Sequence, residues 1–323
     1  MINRRTFNSF ALLAAAPLLA RAQADAFPHK QPIWLVSAFS PGTSTDAIAR
    51  FVGDQLARSL NAQVVVDNRV GAGGMIAGDY VAKAPPDGYT LLFTNASHYS
   101  LPWTTPKLPY DTQKDFAPVA VLAQAALVWT VPADSPYRTL QDVLEAARKN
   151  PGKLTYSTAG AGTTTNMAGA LLNSMAGVNI RHVPYKVASQ AIVDVSTGAV
   201  SMGVSGLSGA APLIQGGRLR AIAITSPARS DLLPELPTVD ESGVRGYQVV
   251  TPVFTLARAG TPPAVLTMLS NAIVNAGRTP EFKKLCAAQM VDVTVQDEKA
   301  LAAAMPQEFA KWKVLAELAA QQG

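Results

Sequence analysis

Residues 32–50 read PIWLVSAFSPGTSTDAIAR. An apolar run from Ile33 to Ala38 enters a turn of small and polar residues, Ser40-Pro41-Gly42-Thr43-Ser44-Thr45, and then a helical pattern opening at about Asp46. Strand, turn and helix in that order form the repeating unit of an α/β fold. The first amides of a helix have no intrahelical acceptor and carry the positive end of its dipole. A turn poor in bulky side chains placed before them is therefore suited to an anion. The expectation is that this turn grips a ligand carboxylate. The alternative is that Gly42 makes a tight turn and Ser44 or Asp46 only caps the helix.

Moving outward, strand-like runs at 33–38, 64–67 and 90–94 alternate with helical patterns at 45–60 and 73–84. This alternation predicts a mostly parallel sheet flanked by helices, with ligands beyond the carboxyl ends of the strands. The turns at 40–45, 71–74 and 95–100 all follow strands, which places Asn95, Ser97 and His98 on the same rim as Phe39 to Ser44. The long apolar run 119–131 suits a segment crossing between two domains. A second series follows, with helices at 139–149, 163–176, 188–196 and 209–215 and strands at 154–157, 180–183, 201–204 and 219–225. A Pro- and Gly-rich segment with a short helix at about 236–243 leads to a second crossing at 249–257. Three helical patterns, 263–276, 280–289 and 298–321, close the chain. In the last, Leu301, Met305, Phe309, Trp312, Leu315 and Leu318 mark one buried face, with Pro306 expected to begin or kink a helix. The closing helices are expected to return to the first domain, giving a discontinuous domain of 27–127 plus 252–323 and a second domain of 128–251.

The 323 residues suffice for two domains of ordinary size, and 48% apolar residues fit a globular chain. Arg4 and Arg5, an apolar run at 10–20, Arg21 and the small-x-small site Ala22-Gln23-Ala24 together read as a signal peptide over 1–24, exported by the twin-arginine or the Sec route. The expected location is the periplasm, because no later stretch offers about 18 to 20 uninterrupted apolar residues. Removing Arg4, Arg5 and Arg21 takes the 27 basic residues to 24 against 22 acidic ones, which argues against nucleic acid as a partner. The one cysteine, Cys286, cannot form an internal disulfide and reads as a small core residue.

Enzyme readings find little support. Gly71-Ala72-Gly73-Gly74-Met75-Ile76 lacks the third glycine of a dinucleotide fingerprint, and there is no P-loop or G-x-S-x-G elbow. His29, His98 and His182 have no metal-ligand spacing, so neither metal nor cofactor is expected. A second strand-to-helix turn, Ser157-Thr158-Ala159-Gly160-Ala161-Gly162-Thr163-Thr164-Thr165-Asn166, repeats the plan of the first. One such turn per domain would set two groups of amide and hydroxyl donors across a cleft, which suits a carboxylate. The alternative is that Thr163 to Thr165 only cap a helix. Tyr185 follows a strand and could reach the cleft, and Ser205-Gly206-Leu207 holds an equivalent strand-end position. Asp46 reads first as a helix cap and second as a partner for a ligand amine.

These residues together resemble a family. Phe39-Ser40-Pro41-Gly42 with Asp46 and Ala49-Arg50, Asn68-Arg69 with Gly71-Ala72-Gly73-Gly74, and Pro86-Asp87-Gly88-Tyr89-Thr90-Leu91-Leu92 are similar to the Bug-type extracytoplasmic solute receptors of tripartite tricarboxylate transporters. So are His182-Val183-Pro184-Tyr185-Lys186, Gly217-Arg218-Leu219-Arg220-Ala221 and Leu236-Pro237-Thr238-Val239. The resemblance implies a two-domain periplasmic-binding-protein (Venus flytrap) fold, monomeric, closing on a small organic carboxylate for delivery to membrane transporter subunits. It implies carboxylate contacts from Ser40 to Ser44 and from Gly162, Thr163, Thr164, Thr165 and Asn166, partly through water. The sequence departs from the family pattern at Thr43 and Val187, where glycine is usual, and at Asn166, where histidine is usual. A sensor presenting its closed form to a membrane signalling partner and a secreted hydrolase are the alternative functions.

Overall fold

The computed structural model describes residues 27–321, and the leader expected over 1–24 lies outside them. The first series runs β1 (Ile33–Ser37), α1 (Ser44–Leu60), β2 (Val64–Asn68), α2 (Met75–Ala82), β3 (Thr90–Asn95) and α3 (Ser97–Thr104). A 17-residue strand, β4 (Phe116–Pro132), leads into the second. That series comprises α4 (Leu140–Lys149), β5 (Thr155–Thr158), α5 (Thr164–Ala176), β6 (Arg181–Pro184), α6 (Ala188–Ser196), β7 (Met202–Gly206), α7 (Leu207–Gln215) and β8 (Leu219–Ile224). The chain returns through β9 (Val250–Arg258) to α8 (Pro263–Gly277), α9 (Pro280–Ala288), β10 (Asp292–Gln296) and α10 (Glu298–Ala320).

The strands form two sheets that share β4. In the first, β1 pairs in parallel with β2 and β3, and β9 joins antiparallel between β3 and the front of β4, with β10 on the other side of β4. In the second, β5 pairs in parallel with β6 and β7, while the back of β4 lies antiparallel to β7 and β8. Parallel pairing therefore holds within each run of βα units, and the strands that travel between the two halves add the antiparallel pairs, so each sheet is mixed.

Alternation along the inner strands explains how both faces of the first sheet are buried. Ile33 and Leu35 of β1 and Leu91 and Phe93 of β3 face a core built with Ile48, Val52 and Leu56 of α1 and with Val265, Leu269 and Ile273 of α8. The intervening Val36 and Leu92 face the opposite way, into a second core with Tyr99, Phe254 and Phe309. Cys286 is 1% exposed in the first of these cores.

Three expectations need correction. The segment 236–243 is a turn bridged to Ile224 through Thr238, not a helix. Thr238 and Glu241 do exchange the reciprocal bonds of a capping box, and the Ser242 N–H reaches the Thr238 carbonyl, but this single turn is not continued into a helix. Pro306 starts no new helix, because α10 runs through it. Finally, α10 does not pack on the first half alone. It lies against α3 and β4 and also against α5 of the second half, burying Leu301, Met305, Phe309, Trp312 and Leu315 along one stripe.

His98, one of the residues placed on the cleft rim from sequence, is 1% exposed in this core. Its Nε2 lies 3.0 Å from the Thr112 carbonyl oxygen, which can only accept, so the ring is neutral with the proton on Nε2. Phe116 meets it edge-on at 4.9 Å. Burial pushes its pKa down from 6.5 to about 4, against a smaller opposing effect of the Thr112 bond. Below pH 6.5 the unfolded chain takes up a proton that the folded ring refuses, so stability is lost as pH falls toward about 4. At pH 4.5 the loss from this one group should reach about 2.5 kcal/mol. Urea unfolding at pH 7 and 4.5 checks this: His98→Gln should remove that part of the pH dependence, and an unchanged slope would contradict the assignment.

Candidate functional site

The turn between β1 and α1 is wired by its own side chains. Gly42 sits at φ 81°, where glycine is favoured, and its N–H donates to Asp46 Oδ2 at 2.9 Å. Thr43 is the N-cap: its hydroxyl donates to the Ser40 carbonyl at 2.9 Å and accepts from the Asp46 N–H at 3.2 Å. Asp46 is 2% exposed, and both carboxylate oxygens are engaged, Oδ2 also with Arg50 Nε at 2.9 Å and Oδ1 with Asn68 Nδ2 at 2.7 Å. Burial alone would raise its pKa, but the bonds from Gly42, Asn68 and Arg50 outweigh that and hold the carboxyl below its ordinary range. Asp46, buried with both oxygens engaged, therefore organises the turn.

The turn between β5 and α5 repeats this wiring position by position. Gly162 sits at φ 73° and its N–H donates to Asn166 Oδ1 at 3.0 Å. Thr163 is the N-cap, donating to the Gly160 carbonyl at 2.6 Å and accepting from the Asn166 N–H at 3.3 Å. Residues 42–46, GTSTD, and 162–166, GTTTN, are thus the same structural motif, one in each half of the molecule. In both, the glycine amide is consumed by the residue four places on. The amides of Ser44 and Thr45, and of Thr164 and Thr165, are the first of their helices and have no carbonyl one turn back. Thr43, the departure from the family's usual glycine, is the counterpart of Thr163, and its hydroxyl is turned into its own loop.

Beneath the second turn, His182 stacks on Tyr156 at 5.1 Å. Its Nε2 lies 2.7 Å from Thr158 Oγ1 and its Nδ1 3.4 Å from Asn166 Nδ2. An amide nitrogen donates, so Nδ1 accepts and the proton sits on Nε2. Burial lowers the ring's pKa, which keeps it neutral. The carboxylate–arginine pair of the first turn is therefore replaced by an uncharged amide and imidazole in the second.

A cavity of about 450 Å³ joins the two halves, lined by Gly162, Thr163 and Thr164 on one side and by Ala72, Gly73, Ser97, Ser100, Leu101 and Thr104 to Pro106 on the other. No charged side chain lines it, so its polarity comes from amides and hydroxyls. Ser40, Pro41, Gly42 and Thr43 lie exposed beyond the end of β1 and Ser44 is half-buried, outside this lining. Phe39 is half-buried edge-on to Phe93, and Asn95 accepts from the Ser97 N–H at 2.9 Å. Thr165, Ser205 and Gly206 line a separate chamber of about 210 Å³. Tyr185 is half-buried, with its hydroxyl donating to Asp194 Oδ2 at 2.6 Å. Burial first and that carboxylate second push its pKa up to about 12. His98 and Leu207 are core residues and are withdrawn from the ligand set. The sequence reading did not select Gly73, Ser100 or Thr104 as site residues. For Gly73 the signal was present, because its turn follows a strand on the same rim. Among the described residues no three His, Cys, Asp or Glu side chains converge as a metal site requires.

Two mixed α/β halves joined by crossing strands, with a like-wired Gly-Thr turn in each, define the class of two-lobed solute-binding proteins. The chain belongs to the tripartite tricarboxylate transporter receptor family, whose model matches residues 48–320. It is 40% identical over 282 residues, 87% of this chain and 84% of the relative, to the UPF0065 protein in the tcbD-tcbE intergenic region of Pseudomonas sp. strain P51. Among solved structures, R. palustris Rpa4515 with adipate superposes with a TM-score of 0.75 at 29% identity, covering 91% of this chain and 98% of that one. MatC from Rhodopseudomonas palustris with bound malate gives 0.71 at 26% identity, covering 90% and 100%. No helix among the described residues is long and apolar enough to cross a membrane.

The shared wiring predicts a graded cost of removing each acceptor. Asn166→Ala strands the Gly162 amide and should cost on the order of 1–2 kcal/mol. Asp46→Ala also strands Arg50 and Asn68 and should cost on the order of 2–3 kcal/mol. Urea unfolding of both variants checks the order; equal and negligible losses would show that these side chains do not hold the turns.

Proposed function

We propose that this protein is a periplasmic receptor that captures a small organic carboxylate between its two lobes and delivers it to the membrane subunits of a tripartite tricarboxylate transporter. Residues 27–127 with 252–323 form one lobe and 128–251 the other, and the leader over 1–24 directs export. The observation that carries the reading is the repeated GTSTD and GTTTN wiring, which in each lobe satisfies the loop amides internally and leaves the first helix amides without a carbonyl one turn back. Such donors suit a carboxylate without a fixed cation. Family membership and the adipate and malate held by two structural neighbours support the same ligand class.

The ligand-binding set is Phe39 to Ser44 on the first lobe and Gly162 to Asn166 on the second, with Asn95, Ser97, Tyr185, Ser205 and Gly206 around them. The 450 Å³ cavity borders Gly162 to Thr164. Closure about β4 and β9 would bring the Ser40 to Ser44 turn onto the same ligand. A ligand that touches both lobes only in the closed form stabilises that form by its differential affinity. The protein binds and releases its ligand unchanged.

Isothermal titration with mono-, di- and tricarboxylates tests the reading. At least one should bind at micromolar Kd or tighter and raise Tm. Hydrolysis of esters or amides, with no intact carboxylate shifting Tm, would overturn it. For a carboxylate that binds, Asn166→Asp keeps an acceptor for the Gly162 amide but adds a negative charge beside the donors. It should weaken binding at pH 7 at least tenfold while circular dichroism is unchanged. Unaltered affinity would remove the second turn from the site.

A further inference from the structure

The chamber of about 210 Å³ lies in the second lobe, beside the Gly160 to Asn166 turn. The exposed members of its lining, Ala188, Ser208 and Gly209, mark its mouth where α6 and α7 open, and Ala159 and Thr165 of the second turn also line it. Its walls are apolar: Ala191, Ile192, Val195, Gly203 and Val204. No Lys, Arg, His, Asp or Glu lines it.

Almost every buried hydroxyl in the chamber is spent. Thr130 Oγ1 donates to the Gly203 carbonyl and Ser157 Oγ to the Ala191 carbonyl. Thr165 Oγ1 accepts from the Ala159 N–H and pairs with Thr163 Oγ1. Ser205 is the exception: its Oγ is shut off from solvent and has no hydrogen-bond partner. Shut off in this way, it leaves the chamber with no unspent buried hydroxyl to offer a ligand.

Mouth and walls favour opposite chemistry. Two helices open at the mouth, α6 and α7, and neither has a side-chain cap at Val187 or Gly206, so their first amides favour negative charge there. The walls offer nothing to a second carboxylate, whose burial without a cation or donors would be costly. We propose that the chamber receives the uncharged body of the ligand, so that this receptor takes a monocarboxylate with one ring or a short branched chain. The inference rests on the receptor reading above and narrows its ligand class. The size fits, since a dry apolar cavity of about 150 Å³ accommodates benzene.

Isothermal titration of the full mature protein with benzoate, 4-hydroxybenzoate, 3-hydroxybenzoate, hexanoate, malate and adipate tests it. One of the four monocarboxylates should bind at least tenfold tighter than malate and adipate. Ala191→Leu, which fills the chamber, should weaken that monocarboxylate at least tenfold. Tighter binding of malate or adipate, or monocarboxylate binding indifferent to Ala191→Leu, would overturn the chamber assignment and leave the receptor reading standing. Failure of all six to bind, repeated across the wider carboxylate panel, would overturn the receptor reading and this inference with it.

Discussion

Both sheets depend on one strand and on the residue that holds it where it changes sheets. β4 pairs with β9 and β10 as far as Ala126 and with β7 and β8 from Leu127 onward. At that junction the fully buried Thr225 accepts the Leu127 N–H on its hydroxyl at 2.8 Å and donates the same hydroxyl to the Val249 carbonyl at 2.6 Å. Its own N–H goes to the Leu127 carbonyl and its carbonyl takes the Val249 N–H. The two chain crossings are thus clamped side by side by a single residue. Loss of this hydroxyl would take a buried partner from the Leu127 N–H and the Val249 carbonyl at once.

With the crossings clamped, α10 adds a second restraint. Its buried stripe touches α3 and β4 on one side and α5 on the other, so the lobes share apolar contact along the back of the molecule. The proposed closure would then move the side of the cavity, whose lining carries no charged side chain. The two Gly-Thr turns stand at the ends of β1 and β5. Each turn satisfies its own loop amides with an Asx side chain and leaves its helix-opening amides for something else. Rigid turns on a hinged frame meet the need of a binding site that must be preorganised locally and mobile globally.

Much of this was legible in the residues. The strand-turn-helix units, the crossing strand and the buried face of the last helix follow from apolar runs, periodicity and Gly or Pro punctuation. The strand Asp292–Gln296 escaped notice because DVTVQ is short, half-exposed and set between helices. The helix Ser97–Thr104 was hidden by Pro102 and by weak helix formers. That omission explains the misplacement of His98: in a turn any residue could face the cleft, but on a helix successive side chains diverge by about 100°. Ser97 therefore lines the cavity and its neighbour enters the core. The motif repeat was visible as GTSTD and GTTTN, yet the pairing of Thr43 with Thr163 needed the hydrogen bonds, since composition alone does not distinguish a cap from a wall. Position 43, a departure from the family pattern, is a cap.

The central claim is that the two turns present their helix-opening amides to one carboxylate. The most direct measurement is an amide-resolved NMR titration of the 15N-labelled protein with the tightest-binding carboxylate of the screen. The account predicts that the amides of Ser44, Thr45, Thr164 and Thr165 shift together, with a single Kd and downfield displacement of their protons. Displacement at one turn only, or at neither while the rest of the spectrum responds, would contradict it.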